Sequence, residues 1–429
     1  MDSVHHIALV VAIAGGVCVL ALIYFNASVN AHADREDAVV SVPGAQSGID
    51  ELSPAIAAAA GQPALAGNTL ELFQNGEEIF PAMLECIARA ESTVHFVSYV
   101  FRAGVIPGAF ADAFSSAAQR GVEVRIVIDR DGAKSASPRL LAQMRGAGCD
   151  VQWFRPARWY DWEEYNRRTH RRLLIVDGDV GFTGGVGIAD EWSGAGDTPG
   201  HWRDTQARIL GPAVASLQRA FVDSWSDATG ELLLKPEYFP RLAPQGDTTI
   251  CIVQSNPANA TSTAQRTVAA LIASARRSLA ITNAYFVPTP AFIGALCAAS
   301  ARGVEVRILM PGPFHNKPIV RSASRHTWRR LLEGGVRLFE HQRTMVHAKV
   351  LAIDDTMLCV GSINFDPRSF ALNAECAAIA FDAKLARAGA EVFDHDLQSC
   401  REVLAADLDQ LSLLARVTSQ VAYWFRAQL

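Results

Sequence analysis

The sequence predicts an α/β fold built twice in tandem behind an N-terminal transmembrane helix. Three observations predict it. Arg120-Gly-Val-Glu-Val-Arg-Ile-Val recurs 182 residues later as Arg302-Gly-Val-Glu-Val-Arg-Ile-Leu. Around each copy, runs with helical apolar spacing alternate with short runs rich in β-branched residues. One stretch alone, Ile7 to Phe25, has 19 residues with no charge and no proline. A length of 429 residues allows two or three domains at ~150 residues each. Half the residues are hydrophobic and 19% are charged, which excludes a largely disordered chain. A polytopic transporter is excluded as well, since it needs several apolar spans.

The elements are justified in chain order. At ~1.5 Å per residue, Ile7–Phe25 covers most of a hydrocarbon core. We read residues 1–26 as an anchor; Ala31-His32-Ala33 leaves a cleaved signal peptide as the alternative. Residues 27–67, rich in Ala, Ser, Gly, Asp and Pro, read as a flexible linker, with structure starting near Leu70. The first repeat fills 68–240. Its helices are expected at Glu77–Ala90 and Ala109–Arg120, its strands at Val94–Phe101 and Val122–Asp129. The second fills 241–400, with helices at Ala264–Arg276 and Pro290–Arg302 and strands at Leu279–Phe286 and Val304–Met310. Residues 401–429 are expected to form a helical tail, packed on the body or resting on a bilayer.

Each repeat then offers a polar hairpin. In the second, His347 and Lys349 are two apart in a strand-like run and share a face. A two-residue turn at Asp354-Asp355 sets His347 opposite Ser362; one at Asp355-Thr356 sets it opposite Asn364. The first repeat has His170 and Arg172, then Asp177-Gly178. A Gly178-Asp179 loop sets Gly187 opposite His170 and Gly185 opposite Arg172. Asp177 and Asp354 fall at turns and read as structural. An imidazole can attack phosphorus or donate a proton near neutral pH. Lys and Asn can hold phosphate oxygens as charge builds. Two such faces suit a phosphodiester site that calls for neither metal nor cofactor.

The spacing H-x-K-x4-D-x6-G-S-x-N, complete in His347, Lys349, Asp354, Gly361, Ser362 and Asn364, resembles the signature of the phospholipase D superfamily. The first repeat matches with Arg172, Gly185 and Gly187 in place of Lys, Ser and Asn. Within that superfamily the chain resembles bacterial cardiolipin synthases. Shared segments include His201-Trp-Arg-Asp204, Ala284-Tyr-Phe-Val-Pro288 and Asn364-Phe-Asp-Pro-Arg-Ser-Phe370. The resemblance implies two tandem phospholipase D-like α-β-α domains related by a pseudo-two-fold axis. It also implies that Asp204 and Glu375 are carboxylates that orient the catalytic imidazoles. Phosphate contacts would come from Ser362 and Asn364, with Gly185 and Gly187 at the matching places.

The implied reaction is phosphatidyl transfer through a phosphatidyl-histidine, with phosphatidylglycerol as a substrate, His170 as nucleophile and His347 as general acid. The residues themselves leave these two roles open. Arg172 keeps the charge of Lys but not its shape, and Gly187 removes an amide. The resemblance further implies a single-pass protein of the bacterial inner membrane. Eight scattered cysteines, with no C-x-x-C pair, suit a cytoplasmic body. Trp153, Trp159, Trp162, Trp192 and Trp202, interleaved with Arg155, Arg158, Arg167 and Arg168, suit an anionic lipid interface, core packing or single-stranded nucleic acid. A net charge of −5 counts against a nucleic-acid partner and a nuclease. A hydrolytic phospholipase D differs only in that water, not alcohol, resolves the intermediate. A scaffold with a vestigial site is the non-enzymatic alternative. The sequence specifies no oligomeric state.

Overall fold

The computed structural model describes Tyr24 and residues 49–155, 166–256 and 262–429. The anchor reading of Ile7–Phe25, the first part of the linker, and Arg158, Trp159 and Trp162 lie outside the described residues. Among the described residues no helix is long and apolar enough to cross a membrane.

The first half runs α1 (Ile49–Ala60), β1 (Ala64–Gln74), α2 (Asn75–Arg89), β2 (Thr93–Ser98), α3 (Val105–Gln119), β3 (Glu123–Asp129), α4 (Pro138–Gly146) and β4 (Asp150–Phe154). It continues through β5 (Arg168–Thr169), β6 (Leu173–Val176), β7 (Val180–Gly184), β8 (Thr205–Leu210) and α5 (Val214–Thr229). The second half repeats the scheme: β9 (Thr248–Ser255), α6 (Thr263–Ser274), β10 (Ser278–Asn283), α7 (Pro290–Ala301), β11 (Glu305–Pro311), α8 (Pro318–Glu333) and β12 (Arg337–His341). Then come β13 (Lys349–Ile353), β14 (Met357–Gly361), α9 (Pro367–Ala371), β15 (Asn373–Phe381), α10 (Ala383–Leu397), β16 (Cys400–Val403), α11 (Ala405–Asp409) and α12 (Leu413–Trp424).

One sheet carries both halves, in the order β16-β12-β11-β10-β13-β14-β15-β9-β1-β8-β7-β6-β2-β3-β4. Read inward from β12 and from β4, the two halves have the same connectivity and meet where β9 pairs with β1. β2-β3-β4 and β10-β11-β12 are parallel, so helices must carry the crossovers. β2 and β10 are buried on both faces, as their near-continuous apolar runs require. α2, α3 and α4 cover one apolar core and α6, α7 and α8 a second. A third core, under α5 and α10, takes residues from both halves.

The expected helices and strands appear within a few residues of their places. Two boundaries differ. The end of the expected linker is ordered: α1 buries Ile56 and Ala60 against α6, and β1 starts at Ala64. Leu52, Ile56 and Ala60 recur every four residues, an apolar stripe concealed by an alanine-rich composition. The expected tail begins inside β16, which pairs antiparallel with β12.

The hairpin turns also differ. Each takes three residues, Ile353 pairing with Met357 and Val176 with Val180. The two-residue registers are therefore off by one. The first turn residue is Asp in the left-handed region in both, with φ of 51° at Asp177 and at Asp354. The Asp354 carboxylate accepts from the backbone N–H groups of Arg276, Arg277 and Ser278. Asp177 accepts from those of Glu91, Ser92 and Thr93. Each turn is thus stapled to the loop that feeds a parallel strand. Asp354→Ala strands those donors, so urea denaturation should show a loss of about 1–3 kcal/mol. An unchanged midpoint would mean that the staple carries no stability.

Candidate active site

The two hairpins converge on one cavity of about 180 Å³. Its wall includes His170 and Arg172 from the first half, and His347 and Asn364 from the second. β14 ends at Gly361 and β7 at Gly184, so the motif residues beyond them are placed by loops and not by the ladder.

Each imidazole is held by a carboxylate from the opposite half. His170 Nδ1 lies 3.0 Å from both Oε1 and Oε2 of Glu375, which stands on β15. His347 Nδ1 lies 3.0 Å from Oδ2 of Asp204, just before β8. The backbone locks the exchange: His170 N–H donates to Ala374 O, and His347 N–H to Arg203 O. Arg203 in turn pairs with buried Asp396 at 3.0 Å.

The carboxylates have different partners. Glu375 accepts from the hydroxyls of Ser362 and Ser369, the latter at 2.6 Å. Asp204 accepts from Trp192 Nε1 at 2.7 Å and from Thr205 N at 2.8 Å. Ser362, expected on phosphate, is therefore turned away from the cavity and behind the His170 carboxylate. Trp192 supplies the matching donor in the other half. This also accounts for the two glycines. A Cβ on Gly185 would lie 2.2 Å from Asp204 Oδ1. One on Gly187 would lie 2.8 Å from Val100 and 3.0 Å from the Trp192 ring. The Asp204 carboxylate occupies the space beside Gly185, and the Trp192 indole with Val100 the space beside Gly187. Asn364 does reach the cavity, and its Oδ1 is buried without a protein partner.

Trp192, Trp202 and Tyr285 surround His347, with ring centroids at 5.1, 5.6 and 5.9 Å. The described members of the tryptophan cluster are thus core and wall: Trp192 and Trp202 are buried, and Trp153 packs on the first-half core. Arg168 lines the cavity, while Arg155 approaches Asp227 at 3.4 Å. Sequence reasoning missed the roles of Trp192 and Ser369, although Trp192 belongs to the tryptophan cluster and Ser369 to a segment singled out for its resemblance.

The tautomer of His170 follows from Arg172. Its Nη2 lies 3.0 Å from His170 Nε2. A guanidinium cannot accept, so Nε2 presents a lone pair and the proton sits on Nδ1, donated to Glu375. On the other side, the Lys349 ammonium lies 2.9 and 3.2 Å from the two nitrogens of His347.

Electrostatics separates the two pairs. Burial pushes His170 well below the usual histidine range, and Arg172, Lys349 and Lys317 add to it. Burial and Lys349 push His347 well below that range too, although the Asp204 hydrogen bond and charge oppose them. Burial lifts Glu375 to about 7, against the two serine hydroxyls. Burial acts upward on Asp204 too, yet the hydrogen bond and charge of His347, with Lys349 and Trp192, hold it below the usual range. Burial, reinforced by Arg172, pulls the Lys349 ammonium far down. Asp204 therefore keeps its charge and offsets part of the cost of a proton on His347, an aid that no carboxylate gives His170 to the same degree.

Ionised Glu375 leaves His170 Nε2 bare; protonated Glu375 would donate to Nδ1 and drive the proton onto Nε2. Reaction at Nε2 is expected to quicken as pH rises through about 7. Ser362→Ala removes a donor that favours the carboxylate, so this limb moves to higher pH in a pH–rate profile. A limb that stays in place would sink the assignment to Glu375.

The family described as "Cardiolipin synthase, PLD-like domain" matches residues 83–192 and 268–397. The chain is 34% identical to cardiolipin synthase 2 of Bacillus cereus over 77% of its length and 64% of that protein's. It is 30% identical to the major cardiolipin synthase of Bacillus subtilis, over 83% and 74%. To cardiolipin synthase A of Pseudomonas putida it is 33% identical, over 84% and 76%. In fold it is similar to phosphatidylserine synthase of Haemophilus influenzae, at a TM-score of 0.68 and 14% identity over 89% and 100% of the chains. With His170 and His347 each inside a matched segment, the chain belongs to the cardiolipin synthase family with PLD-like domains.

Proposed function

We propose that the protein is a membrane-associated phosphatidyltransferase that makes cardiolipin from phosphatidylglycerol. One observation carries this reading: two imidazoles face one cavity, each on a carboxylate of the opposite half. In the first step His170 Nε2 attacks the lipid phosphorus. The P–O bond to the head-group glycerol breaks, and the imidazolium of His347 gives its proton to that oxygen. Glycerol leaves and a phosphatidyl-histidine remains. In the second step neutral His347 takes the proton from a hydroxyl of another phosphatidylglycerol. The oxygen attacks phosphorus, the N–P bond breaks, and His170 returns to its neutral form. Arg172, Lys349 and Asn364 stabilise charge on the non-bridging oxygens.

In this reading residues 68–240 and 241–400 are tandem phospholipase D-like α-β-α domains related by a pseudo-two-fold axis. The matched strand orders on either side of β9 and β1 support it. An anchor at residues 1–26 would hold the body at the bacterial inner membrane. The free thiols of the seven described cysteines suit its cytoplasmic face. The test is mass spectrometry of products from labelled phosphatidylglycerol, with and without phosphatidylethanolamine. Cardiolipin and free glycerol support the reading. Phosphatidic acid alone would replace it with a hydrolase.

A further inference from the structure

Among the described residues twelve large apolar side chains are exposed, and four of them stand on α12. Leu413 and Leu414 are 78% and 76% exposed, and Val417 and Val421 each 51%. At ~100° per residue they span an arc of about 100°, flanked by Arg416, Gln420 and Thr418. The buried Ser419, Ala422 and Tyr423 lie on the opposite side and face α8. Tyr423 packs on Val320 and Ala323, its ring lies 4.5 Å from that of His326, and its hydroxyl donates to Pro288 O. The helix is therefore fixed to the body by one face and presents an unpartnered apolar face outward.

Its position and charge indicate what covers that face. The segment after α12 ends at Leu429, which lines the catalytic cavity. On the same wall Lys317 lines the cavity, between exposed Phe314 and Ile319. α8 and α12 together carry five arginines and one acid, Glu333, in a chain of net charge −5; Arg321 pairs with Glu340 and Arg329 with Asp409, so Arg325, Arg330 and Arg416 make up the positive excess on this side. A second copy docked face to face would set the same arginines against each other. A bilayer of anionic lipid matches both the apolar arc and the arginines.

We propose that the outward face of α12 lies on an anionic lipid surface and holds the cavity mouth against it. The inference rests on the phosphatidyl-transfer reading for its purpose, but its geometry can be tested without turnover. The full chain is placed in vesicles of phosphatidylcholine with or without phosphatidylglycerol. An environment-sensitive fluorescent amino acid replaces Val417, or replaces exposed Glu85 on α2 as a control. With brominated acyl chains, emission at 417 should shift to the blue and fall about twofold in the anionic vesicles, with no change at 85. The double variant Leu413→Asp, Val417→Asp should turn over vesicle substrate about tenfold more slowly, yet cleave a dissolved short-chain phosphodiester like the parent. No quenching at 417, equal quenching in neutral vesicles, or a lipid-free shift that grows with protein concentration would each overturn the proposal. Quenching in a catalytically inert protein would keep the surface and reject the transferase. Turnover without quenching would do the reverse.

Discussion

His170→Ala is expected to abolish phosphatidyl transfer, about 10⁴-fold or more, and to leave no covalent adduct. His347→Ala is expected to be as slow on phospholipid but to differ with an activated substrate. A phosphodiester whose leaving group departs without a proton bypasses the need for His347 in the first step. The adduct then forms on His170 and persists, because no base activates the acceptor. Intact mass after a short pulse reads this directly. An adduct on His347 in the His170→Ala protein would reverse the two roles. Near-parental turnover in either variant would defeat the two-histidine mechanism.

The second large effect comes from the crossed carboxylates. Asp204→Asn puts an amide beside His347 Nδ1, where it can favour the wrong tautomer. A loss of about 10²–10⁴-fold is expected on phospholipid. Because Asp204 serves the acid, an activated leaving group should rescue adduct formation. Glu375→Gln does the equivalent damage to the nucleophile, and the same substrate should not rescue it. If each carboxylate served the imidazole of its own half, the rescue pattern would be exchanged between the two variants. Ser369→Ala should weaken the first step in the same direction as Glu375→Gln, since its hydroxyl helps hold the carboxylate.

The local elements were legible because their signals are local. The parallel strands read as short apolar runs, and Arg120–Val127 and Arg302–Leu309 announce the repeat. The two histidines, Asp204 and Glu375 could be named from spacing and resemblance. Their pairing could not, since His170 and Glu375 are 205 residues apart and meet only through the docking of β5 on β15. The hairpin registers failed because Asp354 and Asp177 pull their turns onto distant backbone donors, a contact that no strand pattern records. Gly185 and Gly187 read as losses of polar contact. The structure gives another reason for them: Asp204 and Trp192 already fill the space. α1 was concealed by composition, since an alanine-rich run resembles a tether until a partner for Ile56 is known.

The exchange of carboxylates also bears on synthesis. Translation delivers His170 long before Glu375, and Asp204 long before His347. A half-made chain therefore holds His170 without the carboxylate that orients it and Asp204 without its imidazole. Competence arrives with β15, when the last of the four groups is threaded into the sheet.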